Sequence, residues 1–213
     1  MTKKEKIAWI IEQLNLLYPE AHCCLNYTKP YELLIATRLS AQCTDARVNL
    51  VTPALFEKYP TMESFAEADF EDVCNIIHSC GFYRGKAKSI IEMCQTMLEK
   101  HDGQVPDTME ELTALSGIGR KTANLILGDI YGKPAIIADT HCIRISNRLG
   151  LAKSDRPEVV EKQLKACIPP EHQTKLCHNF VFFGRDVCSA RNPKCEKCPL
   201  TEVCTIYKKL KKA

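Results

Sequence analysis

The hydrophobic positions fall into helical stripes along most of the chain. Ile7, Ile10, Ile11, Leu14 and Leu17 recur three or four residues apart, which puts them on one face of a helix that Tyr18-Pro19 closes. Leu33, Leu34, Ile35 and Leu39 mark a buried helix over 31–39. Ser40-Ala41-Gln42-Cys43 then turns the chain, and Thr44 or Asp45 offers an N-cap oxygen to the next helix. Pro53 lies inside that pattern, lacks an N–H, and is expected to kink or split it. Asp69 caps a short helix through Ile77. Gly81-Phe82-Tyr83 breaks the chain before a long helix with Ile90, Ile91, Cys94, Met97 and Leu98 inward. Asp102-Gly103 stops that helix, and Pro106-Asp107 opens another that feeds Leu115.

Beyond residue 121 the spacing of Ala123, Leu125, Ile126 and Ile130 stays helical as far as Gly132-Lys133-Pro134. A short extended apolar run, 135–138, ends at Asp139, and helices are expected over 140–149, 157–167 and 170–183. There is no alternating strand pair, no fixed-period repeat and no low-complexity tract. The fold class is therefore all-α, built from many short helices.

Composition narrows this further. The chain has 213 residues, which at roughly 150 residues per domain allows one large domain or two small ones. Its net charge of +3 is small, so any nucleic-acid binding must come from a local basic face. Lys208, Lys209, Lys211 and Lys212 read as a solvated, frayed end. The first helix mixes charged and apolar residues, and no run approaches the ~18 apolar residues of a membrane helix. A reducing, cytoplasmic setting is expected.

Four of the 13 cysteines cluster: Cys188, Cys195, Cys198 and Cys204, spaced C-x6-C-x2-C-x5-C. A mostly helical chain with nine other cysteines scattered singly is not a disulfide scaffold, so four thiols this close point to a metal. Zinc and a [4Fe–4S] cluster both accept four sulfurs, and the donor set leaves the choice open. Arg191 and Lys194 lie in the first loop of the cluster, placed to meet a phosphate backbone or simply solvated.

The remaining chemistry gathers at Leu115-Ser116-Gly117-Ile118-Gly119-Arg120-Lys121-Thr122-Ala123. Glycine reaches positive φ without steric cost, so Gly117 and Gly119 can form a tight hairpin with outward N–H groups. The helix that follows adds unpaired amides and a positive dipole end, which together suit a phosphate. Lys121 falls in its first turn. Arg120 beside it, the helix N-terminus beneath it and partial desolvation all disfavour its cation, conditions that make a lysine an amine nucleophile. A phosphate-binding lysine fits the same position. Asp139 is either a functional carboxylate or the N-cap of the next helix, and His141 is a further contact candidate.

Taken together, these segments resemble the endonuclease III-type DNA glycosylases. The 115–123 stretch resembles their helix–hairpin–helix motif, Asp139-Thr140-His141 falls where they carry the catalytic aspartate, and the cysteine spacing is that of their [4Fe–4S] loop. Leu39-Ser40-Ala41-Gln42-Cys43-Thr44-Asp45 and Gly81-Phe82-Tyr83 are similar to family segments that line opened DNA. Ser116 stands where many members have proline, and Phe82 is bulkier than the leucine of many relatives. Lysine at 121 is the mark of the bifunctional members. The resemblance implies two lobes, residues 22–133 with the hairpin and residues 1–21 plus 134–213 with the cluster, and a damaged nucleotide flipped between them. It implies a base-excision glycosylase and lyase for oxidised pyrimidines or abasic sites in duplex DNA, working as a monomer. Lys121 would attack C1′ and Asp139 would assist it. Gln42 and Phe82 would fill the vacated stack, and Gly117, Gly119, Arg120, His141, Arg191 and Lys194 would touch DNA. The competing readings are a non-catalytic iron–sulfur DNA-binding protein and a zinc-stapled interaction module.

Overall fold

A computed structural model describes residues 1–210, so Lys211 and Lys212 of the expected basic end lie outside the described residues. Every regular element among the described residues is helical. In chain order the α-helices are α1 (Lys3–Leu17), α2 (Pro30–Leu39), α3 (Asp45–Lys58), α4 (Met62–Ala66), α5 (Phe70–Ile77) and α6 (Tyr83–Lys100), followed by α7 (Met109–Ala114), α8 (Arg120–Asp129), α9 (Thr140–Leu149), α10 (Pro157–Lys165), α11 (Gln173–Asp186) and α12 (Thr205–Leu210). No helix among the described residues is long and apolar enough to cross a membrane.

Side-chain oxygens start most of these helices, as the local sequence dictates. Thr2, Thr44, Thr61, Asp69, Thr108 and Asp139 each accept a backbone N–H of the first turn. Glu32 closes the entry to α2 by accepting from Thr28 N (2.7 Å), Thr28 Oγ1 (2.9 Å) and Lys29 N (3.1 Å). Two expectations change. α3 runs unbroken through Pro53, which sits on its exposed face where the carbonyl it leaves unbonded can be hydrated. The buried stripe of α1 ends at Leu14, and Leu17 is 45% exposed.

The chain divides into two compact units, one of residues Cys24–Gly132 and one of Met1–Cys23 with the chain from Lys133 onward. In the first, α6 packs on α2, α4 and α5, and α8 packs on α2 and α7. Leu33, Leu34, Ile35, Ala36 and Leu39 of α2 are fully buried there with Ile90, Met93, Cys94 and Met97 of α6. Each such large side chain contributes about 1.5–3 kcal/mol of burial. In the second unit α11 packs on α1 and α9, and α9 packs on α12. Gly184 lets α11 approach α9 closely, because a methyl group there would strike His141 and Arg144.

Candidate functional site

The hairpin of the first unit is a four-residue turn, Leu115 to Ile118, closed by Ile118 N–H donating to Leu115 O (3.2 Å). Leu115 and Ile118 are buried and pin its two sides. Gly117 has φ +75°, which the turn demands of its third residue, and a side chain there would run into Arg38 and Ser89. Ser116 ties the turn to α6 by donating from Oγ to Glu92 Oε2 (2.7 Å).

Gly119 departs from expectation. Its φ of −102° is open to any residue, so it is not the positive-φ member of the hairpin. It is the N-cap of α8, it has no side chain to bond the first-turn amides, and a Cβ there would meet nothing within 4 Å. The first helical bond is Ala123 N to Gly119 O (3.0 Å). A bare helix N-terminus with open space before it is suited to an anion that supplies its own oxygens. Lys121, in the first turn of α8, is exposed and makes no hydrogen bond or ion pair among the described residues. The desolvation expected for it is therefore not a property of this unit alone. Arg120 beside it is exposed as well.

Arg38 and Ser89 beneath Gly117 carry no signal in the sequence. The half-buried Arg38 packs beneath the hairpin, and its buried Nε has no hydrogen-bond partner.

Gln42 and Phe82 share a conformation. Both are exposed, Phe82 by 72%, and both have left-handed backbones, φ 55° for Gln42 and 47° for Phe82. Such strain costs about 1–3 kcal/mol per residue and persists only where the surroundings impose it. Between the two segments lies Lys86, 1% exposed, whose ammonium donates to Leu39 O (2.7 Å) and Cys80 O (2.9 Å). The Cys43 and Cys80 thiols lie close to each other.

In the second unit Asp139 is the N-cap of α9 and accepts from Cys142 N through Oδ1 (2.7 Å). The cap uses one oxygen, and the half-buried carboxylate makes no other hydrogen bond among the described residues. His141, two residues on, meets Arg144 Nη2 through Nδ1 (3.1 Å).

Cys188, Cys195, Cys198 and Cys204 are all free thiols of intermediate exposure, and they border a cavity of about 270 Å3 that Arg148 and Arg191 also line. No three His, Cys, Asp or Glu side chains among the described residues are placed to hold a metal ion. Sulfurs spread around a void this size suit a multi-iron cluster better than one zinc, whose ligands must close to ~2.3 Å. Burial pushes Cys198 up to about 11, a cost that iron would reverse by holding the thiolate. The donor set and the void fit the cluster. Exposed Lys194 faces Asp186 (3.6 Å), and Arg191 is exposed on the same loop.

Two arginines that composition does not single out hold this loop. Arg148 donates to Cys188 Sγ (3.2 Å), Ser189 O (2.7 Å) and Ala190 O (2.9 Å). Arg144 donates to Cys188 O and Gly184 O (3.1 and 3.3 Å). Their i, i+4 spacing puts them on one face of α9, and that spacing is the only trace of them in the sequence.

Comparison with known proteins agrees with this geometry. Residues 35–170 match the model of the HhH-GPD superfamily of base excision DNA repair proteins, and residues 188–204 match the iron–sulfur binding domain of endonuclease III. The chain is 45% identical over 204 residues to endonuclease III of Synechocystis sp., covering 95% of this chain and 93% of that one. It is 40% identical to endonuclease III of Bacillus subtilis, covering 96% and 94%. The structure of a trapped covalent endonuclease III–DNA intermediate superposes with a TM-score of 0.91 at 43% identity, covering 99% of this chain and 100% of that one. The hairpin, the uncapped helix and the four-cysteine loop are thus parts of one inherited design, and the chain belongs to the endonuclease III family of base-excision DNA repair enzymes, with a [4Fe–4S] cluster in its C-terminal loop.

Proposed function

We propose that Lys121 is the nucleophile of this DNA glycosylase and AP lyase, that Asp139 assists it, and that oxidised pyrimidines in duplex DNA are its substrates. Family membership makes the chain a base-excision-repair enzyme. The observation that carries the assignment of residues is the α8 N-terminus: an exposed, unpartnered lysine one turn from bare amides and a positive-φ glycine. A DNA phosphate on those amides would bring the neighbouring deoxyribose to Lys121 and desolvate its amine, which the protein alone leaves exposed.

The reaction balances with the residues of the chain. The Lys121 amine, relieved of a proton by the Asp139 carboxylate, bonds to C1′ as the C1′–N bond to the base breaks and the base leaves with its electron pair. Ring opening gives a protonated imine between Nζ and C1′. That imine acidifies the C2′ hydrogen, and loss of the C2′ proton expels the 3′ phosphate by β-elimination. Water then returns Lys121 as the free amine. Asp139 also stabilises the positive charge that develops on the sugar.

The proposed lobes follow the same division of labour. Residues 22–133 would grip the phosphate and fill the stack through Gln42 and Phe82, and residues 1–21 with 134–213 would carry Asp139 and the cluster. Cys188, Cys195, Cys198 and Cys204 would hold the cluster, which would close the 188–204 loop, and Arg191 and Lys194 of that loop would meet the backbone. His141 and Arg120 are assigned further backbone contacts, and a single chain suffices.

Borohydride trapping is the test. Wild-type protein mixed with a thymine-glycol duplex and borohydride should form a covalent adduct that peptide mapping places on Lys121. Lys121→Gln should lose both adduct and strand cleavage while still binding an abasic analogue. A Lys121→Gln protein that cleaves and cross-links would overturn the assignment.

A further inference from the structure

Lys86 is buried to 1% exposure, yet it faces no carboxylate: its two partners are the carbonyls of Leu39 and Cys80, at 2.7 and 2.9 Å. An ammonium withdrawn from water without a counter-ion is expensive, and a methionine would fill a similar volume without that cost. The retained charge therefore needs a reason, and the position of the two carbonyls supplies one. Leu39 is the last residue of α2, and its carbonyl precedes the turn to Gln42. Cys80 ends the short 3-10 turn His78–Cys80, and its carbonyl precedes Gly81 and Phe82. Helix C-termini leave such carbonyls unpaired and electronegative, so one cation can satisfy both.

We propose that Lys86 is a positioning residue for nucleotide extrusion, its ammonium tying the loop of Gln42 to the loop of Phe82 so that both enter the DNA in fixed register. The proposal rests on the reading of Gln42 and Phe82 as the residues that fill the vacated stack. Three observations meet in it. Both residues have left-handed backbones that other contacts must impose. The two loops meet a second time where the thiols of Cys43, directly after Gln42, and Cys80, directly before Gly81, lie close to each other. The lysine lies in the first turn of α6, whose N-cap is Phe82 itself, so the anchor and the exposed ring are joined by rigid backbone. Burial draws the ammonium of Lys86 below the usual lysine range, while the two thiols oppose that shift. Arg38, the other cation near it, adds to the lowering.

The test compares two substrates: a thymine glycol paired with adenine, which must be extruded, and a preformed abasic site, which needs far less extrusion. Lys86→Met protein that keeps its melting temperature and its cluster absorbance is expected to lose ~10- to 100-fold in single-turnover excision of the paired lesion and under about threefold on the abasic site. Lys86→Gln, able to reach one carbonyl, should fall between. A 2-aminopurine beside the lesion should brighten less with Lys86→Met, reporting incomplete extrusion. Phe82→Ala should show the same substrate bias, and the Lys86→Met/Phe82→Ala double variant should be no worse than the more impaired single variant. Equal losses on both substrates for Phe82→Ala would overturn the wedge reading and this proposal with it. A biased Phe82→Ala with an unbiased Lys86→Met would overturn the Lys86 proposal alone. Unfolding of both Lys86 variants would assign the residue to the core and overturn it too.

Discussion

Arg148 Nη1 donates to the Cys188 sulfur at 3.2 Å, reaching a cluster ligand from the last turn of α9 across 40 residues of chain. The same guanidinium bonds the carbonyls of Ser189 and Ala190, so it holds the loop on which the first thiolate rides. Hydrogen bonds to a ligating sulfur both orient it and stabilise its charge. Arg148→Met should therefore leave the four cysteines in place but loosen the cluster. Loss of visible absorbance in the presence of a chelator should be about 10- to 100-fold faster than in the wild type. Unchanged bleaching kinetics would show that the arginine only packs.

The two hairpin glycines should respond differently. Gly117 has φ +75°, where a side chain also meets Arg38 and Ser89, so Gly117→Ala should destabilise by at least ~1–2 kcal/mol and weaken duplex binding. Gly119 has φ −102° and empty space around its missing Cβ. Gly119→Ala should change stability by no more than ~0.5 kcal/mol, yet still weaken binding because the methyl occupies the proposed phosphate position. Thermal melts paired with duplex titrations at several salt concentrations separate the two effects.

Asp139 carries two roles that one substitution can part. Asparagine keeps an oxygen for the Cys142 amide, so Asp139→Asn should preserve the cap and the melting temperature. It removes the charge, and single-turnover excision should slow by ~10²- to 10⁴-fold with duplex affinity retained. Asp139→Ala, losing both, should also cost ~1 kcal/mol of stability. Full activity in Asp139→Asn would leave the residue as a cap only.

Alkali should expose the Tyr59–Asp72–Lys58 cluster in the first unit. Lys58 Nζ lies 2.6 Å from Asp72 Oδ1, and Tyr59 donates its hydroxyl to Asp72. Burial first, and then the Asp72 carboxylate, push Tyr59 up to about 12. Its folded pKa exceeds the unfolded value near 10, so the stabilisation is complete below pH ~10 and is lost as pH rises through about 12. The amount at stake is ~2 kcal/mol. Tyr59→Phe should flatten the fall in stability over that window, as read by denaturant unfolding, and should lower the late tyrosinate absorbance by one residue, since burial also raises Tyr18, Tyr31 and Tyr131.

The local signals were legible. Stripes of apolar residues located the helices, Thr44, Asp69 and Asp139 announced their starts, and the cysteine spacing marked the cluster loop, because each depends on residues within a turn or two of one another. Sequence alone thus determined an all-α chain, a glycine hairpin before a helix bearing Lys121, and a four-sulfur site. The donor set by itself did not choose between zinc and iron, and the spread of the sulfurs around a cavity is a three-dimensional fact. Tertiary structure also decided which glycine is strained, since Gly117 and Gly119 are the same residue type and differ in backbone φ, +75° against −102°, and in what packs against them. It alone brought Arg38 under the hairpin, Arg148 to Cys188 and Lys86 between Leu39 and Cys80. Those partners are largely backbone carbonyls and a single sulfur some 40 residues or more away in the chain, or on another helix, and a carbonyl is the same group at every position, so no residue pattern records which cation will reach it.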